Sequence, residues 1–392
     1  MKILILSFYY QPDLSAGSFR TTALLNSLMK DLPSYAHVEL ITTLPNRYSS
    51  FSSEAPELEE HPRLTIRRIA LPSHKSGMLD QAKAFLVYAR QVQRLTRTAH
   101  YDLVYATSSR LMTAFLGAFI SRKHKTPLYL DIRDIFVDTI KDVLPKKKAW
   151  LLKPMFSLVE GMTIRAAKKV NLVSAGFLPY FKSAYPEQHY STFTNGIDDE
   201  FLKAQPDSEK NSPQRIWEVV YAGNIGEGQG LHNIIPQLAK RFEGKLNFKL
   251  IGDGGRLDVL KESLQTAGCT NVTLLSPVKR NELIKVYQSA DVLFLHLNDY
   301  DAFRKVLPSK LFEYAALGKP IWAGVSGYAA DFISQNIDNA AVFSPCDVEA
   351  AVTTFDILKM VTAPRNSFVE HFSRGNIMNS MSKDVLSLIE GH

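Results

Sequence analysis

With 392 residues, of which 45% are hydrophobic and 22% charged, the chain is long enough for two domains that each bury a core. Its two cysteines, Cys269 and Cys346, lie outside any C-x-x-C pair or zinc-type spacing with histidine. A disulfide framework and a structural metal site are therefore not expected, whereas a reducing compartment is. No apolar run reaches the roughly 18 residues of a membrane span. The opening MKILILSFYYQP lacks a small-residue cleavage site and is predicted to be a buried strand.

The net charge of +7 is unevenly distributed along the chain. Residues 1–197 carry 26 Lys and Arg against 15 Asp and Glu, or +11, whereas residues 198–392 carry 20 against 24, or −4. The basic half suggests an anionic partner, such as phospholipid head groups, a lipid pyrophosphate or nucleic acid. The stretch 146–169, which has a lysine run and Trp150, suits a helix on an anionic membrane surface and equally a core-facing helix with a solvated basic face.

Strand-length apolar runs alternate with helical patterns in the first half. Continuously apolar runs such as ILIL are typical of parallel strands covered on both faces. Strands are predicted at Ile3–Phe8, Val38–Thr42, Leu64–Ile69, Leu103–Ala106, Leu128–Ile132, Val170–Ser174 and Ser191–Thr194, with helices at Ser18–Lys30, Gln81–Thr98 and Leu111–Lys123. This order predicts a doubly wound α/β domain over residues 1–197.

The same alternation returns after a polar segment at residues 198–215, which contains two prolines and is predicted to be a linker. Strands are predicted at Val219–Ala222, Phe248–Ile251, Val272–Leu275, Val292–Leu295, Ile321–Ala323 and Ala341–Phe343, with helices at Leu231–Phe242, Arg256–Ala267, Arg280–Ser289 and Lys310–Leu317. A second α/β domain is therefore expected over residues 216–373. The amphipathic tail 374–392 is expected to pack back on the first domain.

The segment LPSKLFEYAALGKPIWAG at residues 307–324 is the richest candidate for a binding site. Pro308 can precede a helix that the Ser309 hydroxyl can cap, and the first N–H groups of that helix would form an anion site. Glu313 lies one turn further on, where it could accept hydrogen bonds from a ribose diol. A plain amphipathic helix explains the same residues without a ligand.

Two glycine-rich turns follow strands of the second half. Gly223 and Gly226 lie in VVYAGNIGEGQGL, and Gly252 and Asp253 lie in LIGDGG. One such turn is a weak signal because many α/β loops need glycine for packing. Together with the helix start at Ser309, the turns predict anion-capable groups at one sheet edge, where open α/β folds bind ligands.

The first half offers two further candidates. Gly17 lies beside a helix start, and Arg20 in that first turn either pairs with an anion or is a surface arginine. LDIRDIF places Asp131, Arg133 and Asp134 after an apolar strand, either as site residues or as an internal Arg–Asp pair. Since no Asp-x-Asp motif suggests bound Mg²⁺, phosphate charge would be met by helix ends and basic side chains.

The order YAGNIG…QGL, LIGDGG, VTLLSPVKRNELIKVYQSADVLFLHL and LPSKLFEYAALGKPI resembles family 4 of the retaining glycosyltransferases. The likeness is greatest to the bacterial branch that makes O-antigen lipopolysaccharide and capsule. In the first half, the opening glycine loop, LDIRDIF and TNGID agree with it. The resemblance implies the GT-B fold, in which two Rossmann-like domains face a cleft.

The resemblance also implies roles by position. Glu313 would hold the donor ribose, and the helix start at Pro308, Ser309 and Lys310 would lie near the diphosphate. Further donor-side positions are Gly17, Asn224, Gly252, Asp253, Val278 and Lys279, of which Val278 and Lys279 would border the base. Asp131 and Arg133 fall among the family's acceptor-side polar residues and are predicted to take part in catalysis.

Two positions depart from the family pattern. The first Glu of the usual E-x₇-E is Lys305 here, and the usual basic pair after the first strand of the second domain is replaced by Asn224 and Gln229. Arg304 and Lys305 are therefore predicted to supply the missing cations and to stabilise the leaving diphosphate.

These observations predict a metal-independent enzyme without a cofactor, peripheral on the cytoplasmic face of the cell membrane. It would move a hexose or N-acetylhexosamine from a nucleotide sugar, with UDP favoured, to a lipid-pyrophosphate-linked saccharide, and nucleic acid is not expected as a partner. One alternative is a nucleotide-sugar epimerase of the same fold, using Asp131 and Asp134 as acid and base. Another is a non-catalytic basic module that binds membrane or nucleic acid.

Overall fold

The computed structural model describes residues 1–13, 15–45, 54–72, 78–108, 111–135, 137, 146–203 and 216–390. The chain divides into two compact units. The first comprises Met1–Asn195 with Gly375–His392, and the second comprises Gly196–Arg374. Each is an α/β unit built around one mainly or wholly parallel sheet.

The first unit contains an eight-stranded sheet in the order β3-β4-β2-β1-β5-β6-β7-β8. Its strands are β1 Lys2–Leu6, β2 His37–Thr43, β3 Leu58–His61, β4 Leu64–Ile69, β5 Leu103–Thr107, β6 Leu128–Ile132, β7 Lys169–Leu172 and β8 Tyr190–Ser191. Only β3 and β4 pair antiparallel among these strands. Strands β5 and β6 are buried at every residue, and this is why their sequences are so apolar.

The described helices of the first unit include one from the end of the chain. They are α1 Ala16–Asp31, α2 Met78–Thr96, α3 Leu111–His124, α4 Lys146–Ile164, α5 Leu178–Ala184 and, at the C-terminus, α14 Arg374–Glu390. Met378, Met381 and Val385 of α14 are fully buried in the core that also holds Ile3 and Leu24. The end of the chain is thus part of the first unit's core.

The second unit contains a parallel six-stranded sheet in the order β11-β10-β9-β12-β13-β14. Its strands are β9 Trp217–Ala222, β10 Leu246–Ile251, β11 Val272–Leu275, β12 Val292–His296, β13 Ile321–Gly324 and β14 Ala340–Phe343. Its helices are α6 Asp199–Leu202, α7 Leu231–Arg241, α8 Leu257–Thr266, α9 Arg280–Ser289, α10 Lys310–Ala316, α11 Tyr328–Asn336, α12 Val348–Phe355 and α13 Asn366–Phe372. The chain moves outward from β9 to β11 and then returns to β12, so the topological switch point lies between β9 and β12.

The chain enters and leaves the second unit through two paired segments of that unit. Ile197 and Ser373 form a parallel bridge. The Ile197 N–H donates to the Phe372 carbonyl over 2.8 Å, and the Arg374 N–H donates to the Ile197 carbonyl over 2.8 Å. The two ends of the second unit therefore lie side by side.

The α/β fold class expected from the sequence is confirmed. Strand β3 was not expected from the sequence, since LEEH is charged and mostly solvent-accessible at the sheet edge. Within the predicted linker 198–215, residues 199–202 form α6, and residues 204–215 lie outside the described residues.

Candidate functional site

The candidate site of the second unit lies at the carboxyl ends of its parallel strands. The turns after β9 and β10 begin at Gly223 and Gly252, on the neighbouring strands of this sheet. The turn after β12 leads to a 3-10 turn at Phe303–Lys305 and then to α10. Because β9 and β12 flank the switch point, this edge has the topology of a ligand site in an open α/β sheet.

The two glycine turns interlock through their backbones. Gly252 has a φ of +155°, and a Cβ there would lie 1.8 Å from the Gly223 carbonyl oxygen. Gly254, at +156°, would place a Cβ 2.6 Å from the Ile225 carbonyl oxygen. The Ile225 N–H donates to the Asp253 carbonyl over 2.9 Å. Both glycines are thus required for the contact between the turns, whatever ligand they meet.

Lys310, the first residue of α10, brings a cation to the turn after β9. A Cβ on Gly223 would lie 2.2 Å from the Lys310 ammonium, so this side chain crosses directly over the glycine. The ammonium lies 4.9 Å from the centre of the Tyr221 ring and 3.4 Å from its hydroxyl. That hydroxyl donates to the Asn224 carbonyl over 2.6 Å. The cation stands beside the position where the family carries the first residue of its basic pair.

The residues that replace the family's basic pair bind each other. The Asn224 amide donates to the Gln229 side-chain carbonyl over 2.7 Å. Beside them, Glu227 accepts hydrogen bonds from Tyr300 and Arg256, each over 2.5 Å. The Tyr300 hydrogen bond, with Arg256, holds the pKa of the Glu227 carboxyl below its usual range. No local sequence pattern signals this cluster, since its members lie in three separate segments.

Glu313 lies one turn after Lys310 on α10, and its side chain is 17% exposed. Burial raises its pKa to about 7, although Arg280 opposes the shift. The nearest Arg280 nitrogen is 3.9 Å from the carboxylate. Lys279 is the residue that precedes α9, and Val278 packs against the core. The structure therefore brings Glu313 and Arg280 together, a pairing that the sequence did not reveal.

Ser309 does not cap α10 with its side chain, so the predicted hydroxyl cap is wrong. Its backbone is already helical, with φ −63° and ψ −32°, whereas a capping side chain is normally carried on extended backbone. The Pro308 carbonyl accepts a bond from the Leu311 N–H over 3.2 Å. The helix begins as predicted, without that cap.

Arg304 and Lys305 occupy the 3-10 turn that precedes α10. The Arg304 side chain is 53% exposed and lies 3.3 Å from Asp299 and 3.6 Å from Asp301. Lys305 is half-buried. The predicted cations are therefore close to α10 in the chain, with Arg304 paired to surface carboxylates.

In the first unit, Asp131 forms a buried ion pair with Arg20. The Arg20 guanidinium donates to both Asp131 oxygens, over 2.8 and 3.0 Å, and Asn171 donates to one of them over 2.7 Å. Burial alone would raise the Asp131 pKa, but Arg20 holds it below its usual range. Because the carboxylate is 1% exposed, we assign it a structural role instead of the catalytic one predicted. The internal Arg–Asp pair exists, but its arginine is Arg20 and not Arg133.

Arg133 retains the features of a ligand-binding residue. Its backbone N–H donates to the Ser108 hydroxyl over 2.8 Å, and one buried guanidinium nitrogen has no hydrogen-bond partner among the described residues. The Thr107 hydroxyl, at the end of β5, likewise has no partner. Buried polar groups in native proteins are normally hydrogen-bonded. Gly17, by contrast, is buried in the first turn of α1.

The described residues contain neither a metal-binding cluster nor a membrane-spanning helix. No group of three or more His, Cys, Asp or Glu is placed to hold a metal ion. No helix is both long enough and apolar enough to span a bilayer.

Several solved structures share this fold along their whole length. Sucrose-phosphate synthase from Thermosynechococcus elongatus is 14% identical, with a TM-score of 0.75 and 100% of both chains covered. HepE of Anabaena in complex with UDP-glucose is 17% identical, with a TM-score of 0.68 and 99% of both chains covered. WaaG, a glycosyltransferase involved in lipopolysaccharide biosynthesis, is 14% identical, with a TM-score of 0.64 and 100% of this chain and 98% of WaaG covered. These likenesses establish the GT-B fold.

Sequence comparisons add to the likeness in fold. A segment of 100 residues is 31% identical to WcaI of Escherichia coli K12, which is named as a colanic acid biosynthesis glycosyl transferase. That segment is 26% of this chain and 24% of WcaI, so the match spans about a quarter of the relative. Residues 203–370 match the family model described as Glycosyl transferases group 1. On a chain with the GT-B fold, residues 203–370 are thus similar to the glycosyl transferases group 1 family.

Proposed function

We propose that this protein is a glycosyltransferase that moves a hexose or N-acetylhexosamine from a nucleotide sugar to a saccharide acceptor in the synthesis of a bacterial surface polysaccharide. The observation that carries the proposal is the convergence of Lys310, Glu313 and the interlocked glycine turns at the carboxyl edge of one sheet. A UDP-sugar is the favoured donor, and HepE, which shares the fold, has been solved with UDP-glucose. Retention of configuration rests on the family resemblance.

Each donor-side residue has a distinct task in this proposal. Glu313 accepts hydrogen bonds from the ribose hydroxyls, and Lys310 pairs with the diphosphate in place of the family's missing basic pair. Arg304 and Lys305 stabilise the diphosphate as it leaves, when its charge is greatest. Catalysis then consists of positioning and charge stabilisation. We expect transfer to proceed without a divalent cation, and loss of activity in EDTA with recovery in Mg²⁺ would refute that expectation.

The proposed acceptor is a saccharide linked to a lipid pyrophosphate, met at an anionic membrane face. Arg133, with its buried unpartnered nitrogen, is the candidate to bind an acceptor phosphate. The buried ion pair of Asp131 leaves the epimerase alternative without one of the two carboxylates it requires.

A panel of nucleotide sugars tests the donor site. A ligand that binds the native state raises its melting temperature, and we expect UDP-sugars to do so. Glu313→Gln and Lys310→Met should remove that stabilisation, whereas Lys245→Met, which changes an exposed lysine of the same unit, should keep it. Arg304→Ala and Lys305→Ala should instead bind the donor and lower kcat more than they raise KM. Unchanged nucleotide affinity in Glu313→Gln and Lys310→Met would refute the assigned site.

A further inference from the structure

Arg280 joins three carboxylates of the second unit that all lie far from it in sequence. At the start of α9, its guanidinium donates to Asp198 and lies 3.5 Å from Glu200 and 3.9 Å from Glu313. The same group lies 4.9 Å from the centre of the Phe201 ring, and the Arg280 side chain is only 17% exposed. Such a fixed guanidinium has few other positions available to it.

The carboxylate on the far side of Arg280 is itself held in place. Arg374 contacts both oxygens of Asp198, one of them over 3.2 Å, and donates to the Gly196 carbonyl over 3.1 Å. Asp198 therefore cannot follow Arg280 if that side chain moves. The guanidinium is anchored on one side and presents a nitrogen towards Glu313 on the other.

The contact between Arg280 and Glu313 differs in kind from the ion pair of the first unit. Arg20 donates to both oxygens of Asp131 within 3.0 Å, and so occupies that carboxylate. The 3.9 Å separation at Glu313 is too long for a hydrogen bond, but short enough for electrostatic attraction. The Glu313 oxygens thus remain available to accept bonds from a ligand.

We propose that Arg280 is a positioning residue, which holds the Glu313 carboxylate in place for the ribose hydroxyls of the nucleotide donor. The proposal rests on the proposed function and adds a residue that does not itself touch the substrate. Its role is to favour the charged form of Glu313 and to orient it, without occupying the oxygens that accept hydrogen bonds from the ribose.

The charges around Glu313 give this role a pH signature. Burial raises the Glu313 pKa to about 7, Arg280, Lys310 and Arg374 lower it, and Asp198 raises it. Buried Tyr287 and Tyr314 are its further titratable neighbours. Since Arg280 is the strongest of the lowering charges, its removal would raise the pKa and leave the carboxyl protonated at neutral pH.

Calorimetric titration of the full-length protein with UDP between pH 6 and 9 tests the proposal. We expect Arg280→Met to weaken UDP binding about tenfold at pH 7, as the loss of one hydrogen bond between the Glu313 carboxylate and the ribose would. At pH 9 the variant should regain much of its UDP affinity. The pH at which the variant has half of its maximal UDP affinity should be higher than in the wild type. Arg280→Lys keeps the charge and should keep the midpoint near that of the wild type. Arg241→Met, at an exposed ion pair with Glu349, should match the wild type throughout.

A second titration with 2′,3′-dideoxy-UDP isolates the ribose. Removing the hydroxyls should weaken binding to the wild type much more than to Arg280→Met, a difference that a purely structural role would not produce. If Arg280→Met does not fold, Arg280→Gln takes its place. This proposal is overturned, and the proposed function is not, if the folded variant has the pH midpoint of the wild type and the same affinity difference between UDP and 2′,3′-dideoxy-UDP. Failure of the wild type to bind UDP or any other nucleotide overturns the proposed function, and this proposal with it.

Discussion

At the scale of single residues, the stability of the first unit depends on the buried Arg20–Asp131 ion pair. Both side chains are 1% exposed, so removal of one partner leaves the other charge buried and uncompensated. We expect Asp131→Ala to lower the free energy of unfolding by about 3–5 kcal/mol, as seen for broken buried ion pairs. Urea unfolding measures this loss, and Asp134→Ala, at an exposed neighbour, is the control. Full stability with abolished transfer would return Asp131 to a catalytic role.

His296 should make stability depend on pH. It is fully buried, with Nδ1 donating to the Gln229 carbonyl over 2.7 Å and Nε2 accepting from the Cys346 N–H over 3.0 Å. Burial lowers its pKa to about 4. Below about pH 6.5 the histidine binds a proton in the unfolded state but not in the folded state. The free energy of unfolding therefore falls between about pH 6.5 and about pH 4, by up to about 3 kcal/mol.

Urea unfolding of the wild type and of His296→Gln at pH 7.5 and 5 measures this dependence. The variant should be less stable at pH 7.5 and show a smaller loss at pH 5, while His61→Gln, at an exposed histidine, should follow the wild type. Equal pH dependence in all three proteins would contradict the assignment.

The sequence could identify site residues only where a local pattern signals them. Glu313 and Lys310 are predictable because a proline and a helix start lie within a few positions of them. Arg280 and Asp198 are 82 positions apart, and nothing near either residue reveals the contact. The same holds for Arg20 and Asp131, which are 111 positions apart. Long-range pairings depend on the packing of whole elements, which residue patterns do not specify.

At the scale of elements, most strands and helices followed from hydrophobic patterning. The bounds of β4, β6, β11 and α9 agree with prediction to the residue, because polar or glycine-containing segments delimit each run. Strand β3 was not predicted, because this exposed edge strand lacks the alternation of apolar and polar residues that indicates a strand. The edge on which the glycine turns lie followed from strand order, whereas the interlocking of the turns required the structure.

The interlocked turns should be intolerant of a single methyl group. Gly252→Ala combines a φ of +155° with a Cβ 1.8 Å from a carbonyl oxygen, so we expect a loss of more than about 2 kcal/mol in unfolding free energy. Gly255→Ala is the matched control, since a Cβ there meets nothing within 4 Å. Thermal unfolding of both variants gives the comparison. Equal melting temperatures would mean that the turns can separate.

At the scale of the whole molecule, the exposed face of α3 and α4 is suited to an anionic membrane. Its exposed apolar side chains are Phe119, Trp150, Met155, Leu158 and Met162, and a groove of about 400 Å³ beside Phe119 is bordered by Arg122 and Lys123. The one carboxylate on the two helices, Glu160, is buried and accepts bonds from Tyr180 and Tyr185. The apolar side chains of this face could enter the acyl region of a bilayer, while its basic border would attract the phosphate head groups. Neither helix carries an exposed acidic residue that would oppose this attraction.

Flotation with liposomes tests this face. We expect binding to vesicles that contain anionic lipid, weakening as salt rises and reduced several-fold in the double variant Phe119→Ser, Leu158→Ser. Ile357→Ser, which removes an exposed apolar side chain of the second unit, should bind like the wild type. Binding that ignores lipid charge and salt, or that survives the double variant, would count against a membrane role for this face.

The paired segments at Ile197 and Ser373 give the chain the architecture of an inserted domain. A host formed by the two ends of the chain receives a guest whose own termini are adjacent, an arrangement that tolerates excision and grafting. Residues 196–374 should therefore fold as an autonomous recombinant fragment that carries the proposed nucleotide site. The complementary deletion, with 195 joined to 375 by a short glycine linker, should yield a folded host. Circular dichroism and urea titration of each fragment would show whether guest and host fold independently, and a fragment without a cooperative unfolding transition would contradict this expectation.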